Sequence, residues 1–246
     1  MANPLVYLIL GCKGTGQFQV VSDLIDFGTD KDERSALFYS IDDANDAEDE
    51  FSVRTRDVTR GAYGWTNGVL SLEVGSEPDL VFVVADGLAD PADFVEAFHA
   101  WLPESGCDLG RVMTVLYSEL AIRKRETFAW FDCCIHYSDV VLLAKRENIS
   151  NKEMKQFLDH YEEECFPCIF EYVKKGRVAS PKLLLETQPR RISRIFDVPE
   201  IFEDDEESEI EEEEVAGDPT KDHYLRRIAG GRRAHSLPRI EDFLEG

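Results

Sequence analysis

The sequence predicts a doubly wound α/β fold around a mostly parallel sheet, and three observations carry that reading. Short, continuous apolar runs recur at strand length without polar alternation, as in strands covered on both faces. Between them lie stretches whose apolar residues fall at helical spacing. The first run passes through a glycine-rich turn, Gly11 to Gly16, directly into such a helix. Repeated strand–helix alternation of this kind is how parallel α/β sheets are written in sequence.

Each element has its own justification. Leu5 to Leu10 is the first buried strand. Phe18, Val20, Val21, Leu24, Ile25 and Phe27 mark one face of the next helix, stopped by Gly28. Ala36 to Ile41 and Leu80 to Ala85 are the second and third strands. Phe94, Ala97, Phe98 and Trp101 space as an amphipathic helix, and Val112 to Tyr117 follows as a strand. Phe128, Phe131 and Ile135 share a helix face before the strand Val140 to Ala144. Ser150 with Glu153 forms a capping box for a helix running to about Cys165. Ile169 to Val173 and Val178 to Leu185 close a domain taken as residues 1–187.

Beyond it the composition changes. Arg190, Arg191 and Arg194 precede the run EDDEESEIEEEE from Glu203 to Glu214, and Arg226, Arg227, Arg232 and Arg233 follow. Charge blocks with little to bury predict a largely disordered acidic tail over residues 188–246. Two apolar islands, Ile192-Ile195-Phe196 and Leu237-Ile240-Phe243-Leu244, are suited to docking on the domain or on a partner.

The 246 residues carry 43% hydrophobic side chains and a formal net charge of −23. That charge repels phosphate backbones and excludes nucleic acid as the expected partner. A protein partner, met through the acidic tail, fits better. The run Pro4 to Leu10 is too short for a leader, and no run is long enough for a membrane span. A cytoplasmic protein is expected. The six cysteines show no secreted disulfide pattern. Cys165 and Cys168 form a CxxC; a metal site joining them to Cys133 and Cys134 is less favoured than ordinary buried thiols.

The turn reads Leu10-Gly11-Cys12-Lys13-Gly14-Thr15-Gly16-Gln17-Phe18. Its setting, strand before and helix after, is that of a phosphate loop of the pattern G-x-x-x-x-G-K-[ST]. Gly11 and Gly16 match. Gln17 stands where the lysine that contacts terminal phosphates belongs, and Phe18 where the magnesium-binding hydroxyl belongs. Gln17 brings no charge, and Phe18 cannot ligate a hard cation. Lys13, inside the loop, is the residue able to replace part of the missing charge. A turn kept for its shape alone is the competing reading.

Further along, Pro78 to Pro91 reads PDLVFVVADGLADP. A buried strand ending in G-L-A-D-P resembles the CobW family of P-loop GTPases, metal chaperones and metallocenter assembly factors. Gly87, Leu88, Ala89, Asp90 and Pro91 match that family's E-T-S-G-L-A-D-P, whereas Val84 takes the acidic position and Asp86 the serine position. Asn67 and Gly68 match the family's N-G-C-[IV]-C-C metal motif, but Val69, Ser71 and Leu72 replace its thiols, and soft metals lose their ligands there. Ala144-Lys145-Arg146-Glu147 stands where the guanine-reading N-K-x-D would be; Lys145 is kept, and Glu147 is a poor substitute for the aspartate.

The resemblance spans about residues 4 to 185 and implies a P-loop NTPase-type fold. Every motif keeps its shape-forming residues and loses reactive ones. The reading is therefore a degenerate CobW-like protein, non-catalytic or weakly binding GTP or another nucleotide, and acting as a binding or regulatory module linked to metal homeostasis. Its residual site would comprise Gly11, Cys12, Lys13, Gly14, Thr15, Gly16, Gln17, Phe18, Asp86, Gly87, Lys145 and Glu147, with no metal expected. One alternative is a working GTP or ATP hydrolase using Lys13 for phosphate and Asp86 for magnesium. The other is a structural interaction protein with no ligand.

Overall fold

A computed structural model describes residues 3–66, 68–75, 77–197 and 216–244. In chain order its elements are β1 (Leu5–Leu10), α1 (Gln17–Gly28), β2 (Ser35–Ser40), α2 (Ala44–Glu50), β3 (Thr59–Thr66), β4 (Val69–Ser71), β5 (Leu80–Val84), α3 (Pro91–Trp101), β6 (Asp108–Tyr117), α4 (Ser118–Arg123), α5 (Phe128–His136), β7 (Val140–Ala144), α6 (Asn151–Glu163), β8 (Ile169–Tyr172) and α7 (Pro181–Leu184). The eight strands form one sheet in the order β4-β3-β2-β5-β1-β6-β7-β8. All pairs are parallel except β3 with β4.

Alternation along the central strands explains why both sheet faces are covered. Tyr7, Ile9, Phe82 and Val84 point to the side where α1 packs Val20, Val21, Leu24 and Ile25. Val6, Leu8, Leu10, Val81 and Val83 point to the other, against Phe94 and Phe98 of α3 and Trp130 and Phe131 of α5. Continuous apolar strands are what such two-sided burial requires. β1 sits between β5 and β6, so the chain winds away from it in both directions. The loop after β1 thus lies at the topological switch point, where open α/β sheets place their ligands.

Several predicted boundaries shift. β6 begins at Asp108 rather than Val112, and the capping box opens a helix that ends at Glu163. Val178 to Leu185 contains the short helix α7. The segment likened to a metal motif is the β3–β4 hairpin at the sheet's edge, where Trp65 packs on Phe94; Asn67 falls outside the described residues.

The expected tail needs the larger correction. Residues 188–197 and 216–244 pack on the domain, burying Ile195, Tyr224, Leu225 and Ile240 in the same core as α3 and α5. Both apolar islands therefore dock on the body of the chain. Arg191 is bound to the fully buried Asp139 at 3.1 Å, and Arg233 to Asp93 at 2.7 Å. The 187/188 boundary separates no body from a tail among these residues. The acidic run 203–214 lies outside the described residues.

Candidate functional site

The glycine loop joins β1 to α1 and is pressed against the loop that follows β5. Gly87 has to be glycine: a Cβ there would stand 2.5 Å from the backbone nitrogen of Lys13. Lys13 N–H in turn donates to the Gly87 carbonyl at 3.1 Å. Gly11, at φ 143°, has a similar reason, since its Cβ would meet the Val115 carbonyl oxygen at 2.5 Å. Gly11 and Gly87 are thus explained by close backbone contact and Gly16 by its φ of 94°, with no ligand required.

The loop closes on itself. The Cys12 carbonyl accepts from Thr15 Oγ1 at 2.5 Å, Thr15 N–H at 3.3 Å and Gln17 Nε2 at 2.8 Å. Gln17 is buried and points its amide into the loop. Phe18, at the position expected for a hydroxyl, is 4% exposed and stacks edge-on against Tyr39 at 5.9 Å. It belongs to the core beneath the loop. Burial pushes the Cys12 thiol up to about 11, so it is no nucleophile at neutral pH.

The mouth of the loop is acidic. Lys13 Nζ lies 3.4 Å from Asp43 and 3.0 Å from Asp46. Burial pulls on its ammonium, but the two carboxylates outweigh that and raise it. Asp43 is pushed up to about 6, first by burial and then by the charge of Asp86, with Lys13 opposing. Glu50 is raised by burial and by Asp46, with Lys145 opposing. Asp86 accepts from the Leu88 N–H at 2.9 Å as a turn residue, and Asp90 caps α3 through the N–H of Ala92. Tyr63 crosses beneath, donating to the Val84 carbonyl at 2.7 Å.

The space left among Lys13, Gly14, Gln17, Phe18, Asp43, Asp46, Glu50, Val84 and Gly87 is about 10 Å³. That holds about one water.

The structure thus brings together Gly11 to Phe18, Asp86 and Gly87, with Lys145 within electrostatic reach through Glu50. Glu147 is exposed beyond the end of β7. Sequence reasoning missed Asp43, Asp46 and Glu50. Their i, i+3, i+7 spacing, which puts them on one helical face, was the available signal. Among the described residues no group of three or more His, Cys, Asp or Glu side chains is placed to hold a metal ion. Cys133, Cys134 and Cys168 are buried free thiols and Cys165 an exposed one. No described helix is long and apolar enough to cross a membrane.

Strand order and loop position define an open, mostly parallel α/β sheet with a glycine-rich loop at its switch point. No family model matches the chain, and no curated protein matches it. Among solved structures it is similar to the Zn(II)-bound YjiA GTPase from E. coli, at 14% identity and a TM-score of 0.40, over 77% of this chain and 67% of that one. A Zn(II)-bound triple mutant of the YjiA GTPase gives 14% and 0.41, over 76% and 67%.

Proposed function

We propose that this chain uses a P-loop fold as a scaffold, without nucleoside triphosphate hydrolysis, and works as a protein-binding or regulatory module. The observation that supports this reading is the closed loop. The Cys12 carbonyl takes up Thr15 and Gln17, and the remaining space suits one water. An entering phosphate would also meet Asp43, Asp46 and Glu50, with Lys13 already paired. Like charges 4 Å apart repel by about 4 kcal/mol at an effective dielectric of about 20. The acidic run 203–214 is the part of the chain we assign to a protein partner, on its charge. A place in metal homeostasis follows from the CobW resemblance of the G-L-A-D-P segment alone.

Calorimetry of the full chain with GTP, ATP, GDP and ADP, with and without Mg²⁺, tests the reading. The expected result is no binding heat at millimolar nucleotide. Micromolar binding with Mg²⁺-dependent turnover, lost in Lys13→Ala, would establish the hydrolase reading instead.

A further inference from the structure

A groove of about 580 Å³ lies between α4, α5 and α6, away from the glycine loop. Ala121, Ile122, Phe128 and Phe157 give it an apolar floor, and Phe128 is 37% exposed. Arg125 and His160 line it, and Arg123 and Lys124 stand exposed beside it. Glu153 also lines it and pairs with Arg123 at 3.8 Å, as Glu119 does at 3.1 Å, so Lys124 and Arg125 are the cations here without an ion pair among the described residues. We propose that this groove binds the chain's own segment 198–215.

Three observations select that occupant. The first is charge: the segment reads VPEIFEDDEESEIEEEEV, opposite in sign to Lys124 and Arg125. The second is its apolar content. Ile201, Phe202 and Ile210 punctuate the acidic run and suit a floor of Ile122, Phe128 and Phe157. The third is reach. Ser193 N–H donates to the His136 carbonyl at 3.1 Å, and Gly217 N–H to the Arg194 carbonyl at 3.0 Å. Both anchors therefore sit by the C-terminal end of α5, whose first residue is Phe128. That end lies about 12 Å from Phe128 at ~1.5 Å per residue. A stretch of this length tethered at both ends extends roughly 30 Å, at ~3.3 Å per residue out and back. The groove is within range of its own chain, and the effective concentration of such a tethered segment is on the order of millimolar. The inference is independent of whether the glycine loop binds nucleotide, and a protein partner of the acidic run would compete with the groove for it.

The test uses a full-length chain in which 198–215 is replaced by a Gly/Ser linker of equal length. The probe is a fluorescently labelled synthetic peptide of residues 198–215, followed by anisotropy at low salt. The peptide should bind the linker-replaced chain at least tenfold more tightly than the parent chain, whose own segment holds the groove. Arg125→Glu in the linker-replaced chain should weaken binding at least tenfold, as should 0.5 M salt. Phe128→Ala should weaken it through the floor without a change of charge, and decides the matter if Arg125→Glu misfolds. The proposal is overturned if the peptide fails to bind the linker-replaced chain or binds both chains equally. It is also overturned if neither substitution weakens binding, which would place the peptide elsewhere.

Discussion

The glycine loop and the seat of the C-terminal segment treat buried carboxylates in opposite ways. At the loop mouth, Asp43, Asp46, Glu50 and Asp86 gather around one lysine, and burial and mutual repulsion raise Asp43. At the C-terminal segment, Asp222 alone collects five donors. These are His136 Nε2 at 2.9 Å, Tyr137 Oη at 2.7 Å, Ser193 Oγ at 2.6 Å and the backbone N–H groups of Tyr224 and Leu225 at 3.0 and 3.2 Å. Burial works against the Asp222 charge, yet His136, Ser193 and Tyr137 outweigh it and hold its carboxyl far below the usual range. The contrast teaches that the Asp222 carboxylate is satisfied where the chain binds itself, and the Asp43 carboxylate left in tension where a nucleotide would bind in an intact phosphate loop.

The largest effect is therefore expected at the latch. Asp222→Ala strands the buried hydroxyls of Tyr137 and Ser193 and the His136 ring, and removing one partner of a buried pair costs about 3–5 kcal/mol. Urea unfolding should show a loss of that order, together with faster proteolysis at Tyr224 and Leu225. A loss below about 1 kcal/mol would mean that 216–244 is held by its apolar contacts and its arginine ion pairs without help from Asp222. Phe18→Ser comes next. It restores the hydroxyl of a phosphate loop, but removes a core aromatic from α1 and should cost about 3 kcal/mol in urea unfolding.

Acid titration separates the two regions by sign. The folded value of Asp222 is depressed, so its contribution is in force above about pH 4, the unfolded carboxyl's value, and fades as pH falls further. Asp43 behaves in reverse. Its folded value of about 6 means its contribution is complete below about pH 4 and is lost as pH rises through 6. Asp43→Asn should thus raise stability at pH 7 by on the order of 1 kcal/mol and leave it nearly unchanged at pH 4. Urea midpoints at the two pH values check this, and a loss at pH 7 would show that the Lys13 pair outweighs the strain.

Much of this contrast was legible in the sequence. Central strands, α1, α3, α5 and the Ser150 capping box follow from local pattern, because two-sided burial and helix capping are written in neighbouring residues. Loss of the lysine and hydroxyl at Gln17 and Phe18 was equally plain. The crowd of carboxylates was not, because Asp46 and Glu50 belong to a short helix of only seven residues with one buried apolar side chain, Ala47, and Asp43 is the residue just before it. The latch was invisible for another reason. Asp222 and His136 are 86 positions apart, and charge-block composition around residues 188–246 reads as solvated until the fold supplies donors such as His136 and Tyr137.

The smallest change discriminates most finely between the two causes of the loop's closure, the missing lysine and the acidic surround. Gln17→Lys gives up one hydrogen bond to the Cys12 carbonyl, which still accepts from Thr15, so stability should fall by no more than about 1 kcal/mol. The new ammonium enters a mouth already lined by Asp43, Asp46 and Glu50, and should pair with them rather than await a phosphate. Calorimetry should then show no nucleotide binding for Gln17→Lys alone, and a first measurable heat only when Asp43→Asn and Asp46→Asn are added. Micromolar ATP or GTP binding by the single variant would mean that the missing lysine alone silences the loop, and the opposition drawn between acidic mouth and satisfied latch would lose its functional meaning.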